Sequence, residues 1–234
     1  MNKKASRVDS CGRAYAGSQL QIQIYANRRQ EELSQGILEA LPLLASLNPR
    51  LRWVSPLEKE KFAEYKDRKF LKAIGYEHVA GKLRAFWPLR GPNWDALAAV
   101  EFQNTAGPQG VILVEAKSHP KEISASKCRA GAKSRRKIEA ALQQAKSWLG
   151  VKDSVDWTGP LYQSANRLAH LYFFREIVKI PAWLVNIYFL NDPHTRTTLA
   201  EWHVARAAVK DELGLKGISV PYMAELFLAG KEEP

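Results

Sequence analysis

Three charged side chains in this chain are spaced so that they could act together. The stretch Val111-Ile112-Leu113-Val114-Glu115-Ala116-Lys117-Ser118 is apolar up to its final four residues and lies between Gly110 and His119-Pro120. An apolar run of Leu and β-branched residues between turn signals predicts a buried strand. Side chains alternate across a strand, so Glu115 and Lys117 fall on one face. Opposite charges at the end of an oily strand are costly unless something compensates them. A further carboxylate, Asp95, lies in Pro92-Asn93-Trp94-Asp95-Ala96-Leu97-Ala98 on a second predicted strand. Two carboxylates suit a hard divalent cation such as Mg²⁺, which takes one or two carboxylates together with waters and phosphate oxygens. The lysine could orient or deprotonate a water, or stabilise charge. The competing structural reading is a buried Glu115–Lys117 pair, with Asp95 capping a turn.

The surrounding elements must position this set. Leu20, Ile22 and Ile24 alternate with Gln19, Gln21 and Gln23, which predicts a half-buried strand. Leu33, Ile37, Leu41 and Leu44 predict a helix over about 28–41, bent or ended by Pro42. Ser55-Pro56-Leu57-Glu58 reads as a capping box opening a helix that runs to Ile74 and stops at Gly75. On that helix Glu60, Glu64 and Asp67 form an acidic edge beside Ala63, Phe70 and Ile74, an edge able to face a metal. Strands are expected over 82–88 and 94–102, with the turn Arg90-Gly91-Pro92-Asn93 between them. Helices follow over 134–149, ended by Gly150, and over 161–177. A buried strand covers 182–190 and a helix covers 199–213. The segment 222–228 reads as a short strand or helix.

Charge is the compositional outlier: 35 Lys and Arg stand against 24 Asp and Glu, for a net charge of +11. A body this basic suits a polyanionic partner, above all nucleic acid. Residues 1–17 read as a disordered basic arm, and 18–234 as one domain. Lys127, Arg129, Lys133, Arg135 and Arg136 crowd the start of the helix over 134–149, where cations oppose the helix dipole. Local stability does not ask for them, so they are assigned to phosphate contacts. Gln163, Asn166, Arg167 and His170 form one stripe of amides, guanidinium and imidazole, groups suited to a ligand-facing wall. Two cysteines, Cys11 and Cys128, suggest a reducing environment. With no apolar signal core and no run of membrane-spanning length, the expected location is the cytoplasm. The five histidines show no zinc spacing, and no nucleophile elbow or glycine-rich phosphate loop is present.

The order helix (56–74), strand, strand with Asp95, strand with Glu115 and Lys117, helix, strand (182–190) resembles the PD-(D/E)XK nuclease superfamily, whose core is α-β-β-β-α-β. The resemblance covers about 55–192. It implies a mixed α/β, restriction endonuclease-like fold, with an N-terminal strand and helix and a C-terminal helix added. It matches Asp95 to the single acid and Glu115-Ala116-Lys117 to the E-x-K motif. Asp95, Glu115 and the Ala116 carbonyl would then hold Mg²⁺ or Mn²⁺, with Lys117 as base or charge stabiliser. Glu64, with Asp67 behind it, would be the acid of the first core helix. Gln163 matches the first residue of the family's Q-x-x-x-Y, with Arg167 in place of Tyr. Trp94 precedes Asp95 where the family's signature has Pro, and Pro92 lies three residues before the acid. The implied activity is metal-dependent phosphodiester hydrolysis, in DNA ahead of RNA, and a homodimer would suit the cutting of both strands of a duplex. The alternative is a nucleic-acid-binding protein that keeps the fold without the chemistry.

Overall fold

Five strands form one mixed sheet in the order β1-β2-β3-β4-β5. They are β1 (Arg50–Ser55), β2 (Ala96–Glu101), β3 (Gly110–Lys117), β4 (Ala182–Leu190) and β5 (Met223–Ala229). The first three run as an antiparallel meander, and β4 and β5 continue parallel to β3. The computed structural model describes residues 7–103, 105–124 and 127–232.

The central strand is β3, buried along its whole length. Its apolar run leaves it no polar face, so it needs cover on both sides. At its start, Gly110 admits the next strand: a Cβ there would lie 2.8 Å from the Trp183 ring and 2.9 Å from the Pro181 carbonyl oxygen. On one face lie α1 (Gly17–Arg28), α2 (Gln30–Ala40) and α3 (Pro42–Ala45). From there Ile22, Tyr25, Leu33 and Ile37 pack with Ile112, Val114, Val185 and Phe189. On the other lie α4 (Asp67–Ala73), α5 (Ala80–Phe86), α6 (Ala132–Leu149), α7 (Tyr162–Tyr172) and α8 (Leu199–Glu212). Phe70, Leu83, Ile138, Leu168 and Trp202 pack there with Leu97, Val111, Leu113 and Leu184. The result is a helix–sheet–helix sandwich. Alternation along β3 sends Glu115 and Lys117 to the second face, toward α7.

Four expectations are corrected. The alternating segment 20–24 is helical, because Gln21 and Gln23 are buried as deeply as their apolar neighbours. Their amides are satisfied by distant backbone: Gln21 by Lys231, and Gln23 by Gly12 and Ala14. The capping-box reading of 55–58 also fails, since Ser55 ends β1. Asn27 of α1 accepts the Glu58 N–H and donates to the Pro56 carbonyl, holding the chain outside a helix. One 3₁₀ turn follows, then Lys61 and Phe62 at φ 53°, and only Asp67–Ala73 is α-helical, with Gly75 as the expected stop. The expected strand over 82–88 is α5. Leu83 and Phe86, three apart, are both buried, which a strand would not allow for residues on opposite faces. Finally, residues 7–16 of the expected disordered arm fold onto the domain. Asp9 accepts the N–H groups of Cys11 and Arg13, Val8 bridges Ala14, and Ala14 packs with Leu20 and Ile24. Residues 1–6 lie outside the described residues.

The strands over 94–102, 111–118 and 182–190 and the helices over 134–149 and 199–213 are found within a residue or two of their expected ends. The helix over 161–177 is α-helical to Tyr172 and closes in a π turn over Phe173–Ile177. The segment 222–228 is resolved as β5, and β1 had no sequence-level counterpart. Among the described residues, no helix is long and apolar enough to cross a membrane.

Candidate active site

At the carboxyl end of β3 the side chains of Glu115, Lys117, Gln163 and Arg167 meet. Lys117 Nζ pairs with Glu115 Oε1, and Gln163 Nε2 donates to the same oxygen at 2.7 Å. Arg167 Nε donates to Glu115 Oε2 at 2.6 Å. Gln163 and Arg167 are four apart on α7, so they present side by side to the strand. The Arg167 guanidinium is only 4% exposed, yet every edge has a partner. It donates to the Asn93 carbonyl at 2.7 Å and to Asn166 Oδ1 at 2.9 Å, and its plane lies 4.8 Å from the Trp94 ring centre.

Asp95 sits one residue before β2. In the β2–β3 register Ala96 faces Val114, which brings Asp95 alongside Glu115. Its Oδ2 accepts the Ala116 N–H at 2.7 Å. Burial, then the charge of Glu115, push the Asp95 carboxyl up to about 7, against the pull of Lys117 and Arg167. Burial opposes the charge on Glu115 as well, but Arg167 and Lys117 outweigh it and hold that carboxyl below its usual range. For Lys117, burial works against the ammonium, and Glu115 with Asp95 more than restores it, raising its pKa. In the cluster the surroundings favour the charged forms of Glu115 and Lys117 and the neutral form of Asp95.

Glu64 reaches the same neighbourhood from the loop before α4 rather than from a helix. Burial raises its pKa first and the charge of Glu115 second, with Arg167, Gln19 and Lys117 opposing. Gln19 of α1 donates to Glu64 Oε1 at 3.1 Å and fixes it. Asp67 is elsewhere: it accepts the Arg90 and Gly91 N–H groups, both at 3.0 Å, and shapes that turn. Glu60 is exposed on the 3₁₀ turn.

The polar stripe on α7 is corrected in direction. Asn166, Arg167 and His170 face the interior at 8%, 4% and 2% exposure, so they cannot serve as an open nucleic-acid wall. His170 donates from Nδ1 to the Asn166 carbonyl and lies edge-on to Trp87 and Trp94. Burial lowers its pKa to about 4. The cations Lys127, Arg129, Lys133, Arg135 and Arg136 are all exposed, as a surface contact would need. Arg135 bonds Glu139 and Thr158.

Four contributors had little or no sequence signal. Gln19 was hidden by the strand reading of its segment. Asn93 acts through its carbonyl, which no side-chain pattern reveals. Trp94, noted only as a departure before Asp95, supports Arg167. The fourth is a polar row across the sheet: Glu115 pairs in register with Asn186, and Asn186 with Glu225 of β5. At its far end Arg206 and Lys210 of α8 hold Glu225. A cavity of about 50 Å³ runs from Glu115 past Asn186 to Glu225, room for a few waters. Just beyond β3, the turn is latched to the end of β4: Ser118 donates to Asp192, and Thr195 and Thr197 donate to the Ser118 carbonyl.

No protein-family model, curated protein or solved structure matches the chain.

Proposed function

We propose that this protein is a metal-dependent nuclease of the PD-(D/E)XK type, hydrolysing phosphodiester bonds in DNA. The observation that carries the reading is the convergence of Asp95, Glu115 and Lys117 on one sheet face at the ends of adjacent strands, beside Gln163 and Arg167 of α7. The element order is compatible with it when α2, β1, β2, β3, α6 and β4 are taken as the core, with α4 and α5 inserted between β1 and β2.

The donor set fits a hard cation. Asp95 and Glu115 are juxtaposed carboxylates, and the upward shift on Asp95 comes first from burial and second from the charge of Glu115. No group of three or more Asp, Glu, His or Cys arranged for a metal occurs among the described residues. An ion here would therefore rest on these two carboxylates, the Ala116 peptide carbonyl and waters, a set within the habits of Mg²⁺ or Mn²⁺. Arg167 and Lys117 occupy the Glu115 oxygens, so an entering ion would compete with them. When bound, such an ion lowers the pKa of its water and polarises the phosphoryl oxygen.

The chain's own groups supply the rest. Lys117, held protonated, suits charge stabilisation and positioning of Glu115 better than proton abstraction. The Arg167 guanidinium, buried and bonded on every edge, holds Glu115 in place. Gln163 orients Glu115, and Glu64 adds a nearby carboxylate. The closed ring of bonds around Glu115 favours the second reading, a structural ion cluster in a nucleic-acid-binding protein without chemistry. Cleavage of labelled duplex and single-stranded DNA with Mg²⁺ or Mn²⁺, by the wild type and Asp95→Asn, separates the two. Product that requires the ion and drops at least about a hundredfold in the variant supports the nuclease. Equal rates in both would refute the site, and binding without product would favour the second reading.

A further inference from the structure

A broad groove opens between β1 and α4. Its volume is about 590 Å³, and Arg52, Trp53, Val54, Leu57, Lys59, Glu60, Tyr65, Lys69, Lys72 and Ala73 form its walls. That size falls among ligand-binding clefts rather than packing defects. Edge strand β1 makes one wall and α4 the other. Arg52, Lys59, Lys69 and Lys72 are exposed, against one exposed acid, Glu60. Arg52 is paired with Glu101 at 2.6 Å. Lys59, Lys69 and Lys72 have no ion-pair partner among the described residues. Lys69 and Lys72, three apart on α4, stand on one helix face. Like charges gathered on a concave surface repel one another, and folding does not require them there.

The groove is tied to the site through the chain. Tyr65 lines it and follows Glu64 directly. The Tyr65 carbonyl accepts the N–H of Trp94, the residue before Asp95. The Tyr65 ring is half-buried, packed from behind by the core and lining the groove on its other side. A cationic track with an aromatic platform is the recurring arrangement for a single nucleic-acid strand: cations follow the phosphates, and the ring stacks on a base.

We infer that the groove between β1 and α4 binds a single strand of nucleic acid, with Lys59, Lys69 and Lys72 on its phosphates and Tyr65 against a base, and delivers that strand to the Asp95–Glu115 site. This rests on the nuclease reading and assigns it a substrate: a strand that is single on this side of the scissile bond, as at a flap, a gap or a free end.

The test is fluorescence anisotropy of the full-length chain in EDTA. The probes are a labelled oligo-dT and a labelled blunt hairpin duplex, each titrated across a salt series. The variants are Lys69→Ala/Lys72→Ala and, as a charge-matched control away from the groove, Lys152→Ala/Lys216→Ala. The four side chains are exposed, and circular dichroism checks folding. The groove variant is expected to bind oligo-dT at least about tenfold more weakly, with the salt slope reduced by about 1.4 for two lost phosphate contacts on a single strand. Unchanged affinity and slope in the groove variant would overturn the groove while leaving the nuclease reading standing. Loss confined to the duplex probe would overturn the assignment to a single strand. If the wild type binds neither probe in a salt-dependent way, the nuclease reading falls and the groove with it.

Discussion

At the scale of single residues, Arg167 is the pivot. Its guanidinium neutralises Glu115, bonds the Asn93 carbonyl and stacks on Trp94, so it ties α7 to both strands of the site. Replacing it with Ala leaves Glu115 Oε2 buried without a partner. The expected cost is about 3 kcal/mol, the lower end for breaking a buried pair, because Lys117 and Gln163 remain on the other oxygen. Urea unfolding of Arg167→Ala at neutral pH measures it. His170 gives a pH signature. Its folded pKa of about 4 lies below the ordinary value of 6.5. Between those values the unfolded chain binds more protons than the folded one, so stability falls as pH drops from about 6.5 to 4. The full effect is about 3 kcal/mol, and the slope over that window is expected to be shallower in His170→Gln than in the wild type. The motif residues Asp95, Glu115 and Lys117 were legible because strand alternation alone puts two of them on one face. The inward turn of Asn166, Arg167 and His170 was not, because a stripe of amides, guanidinium and imidazole reads as a ligand-facing wall until the aromatic walls from Trp87 and Trp94 are known.

At the scale of elements, sequence periodicity succeeded where one pattern dominated and failed where both sides of an element are buried. The β3 and β4 strands and α6 have a single strong signal each. In α1 the alternation of Gln with Leu and Ile mimicked a strand, since its amides serve buried backbone at both ends of the chain. The capping-box residues at 55–58 matched the pattern of a helix start, but a tertiary bond from Asn27 overrides local preference. Edge strand β1 passed unnoticed because its charged residues and short apolar share look like a loop. Close approach of β4 to the start of β3 depends on one missing side chain. Gly110→Ala would press a methyl onto the Pro181 carbonyl and the Trp183 ring, and is expected to lose about 1–3 kcal/mol. Thermal unfolding of that variant beside the wild type is the measurement, and a loss well under 1 kcal/mol would mean the β3–β4 contact can relax.

At the scale of the whole molecule, a net charge of +11 is what the proposed polyanionic partner calls for. One exposed basic cluster precedes and opens α6, another lines the groove between β1 and α4, and the buried cations Lys117 and Arg167 lie at the end of β3. The mixed α/β class was legible in the sequence, because the two strands carrying Asp95, Glu115 and Lys117 and the strand over 182–190 have strong apolar signals, whereas the expected helix over 56–74 and strand over 82–88 are not found as such. The central claim is that Lys117 belongs to a site for chemistry rather than to a structural ion pair. The measurement that tests it most directly is a time course on flap, single-stranded and duplex DNA, and on RNA, with Mg²⁺ or Mn²⁺, by wild-type protein and folded Lys117→Ala, with EDTA controls. The account predicts ion-dependent product from DNA that EDTA abolishes and Lys117→Ala lacks. Product that persists undiminished in Lys117→Ala, or none on any substrate from protein that binds DNA, would contradict it.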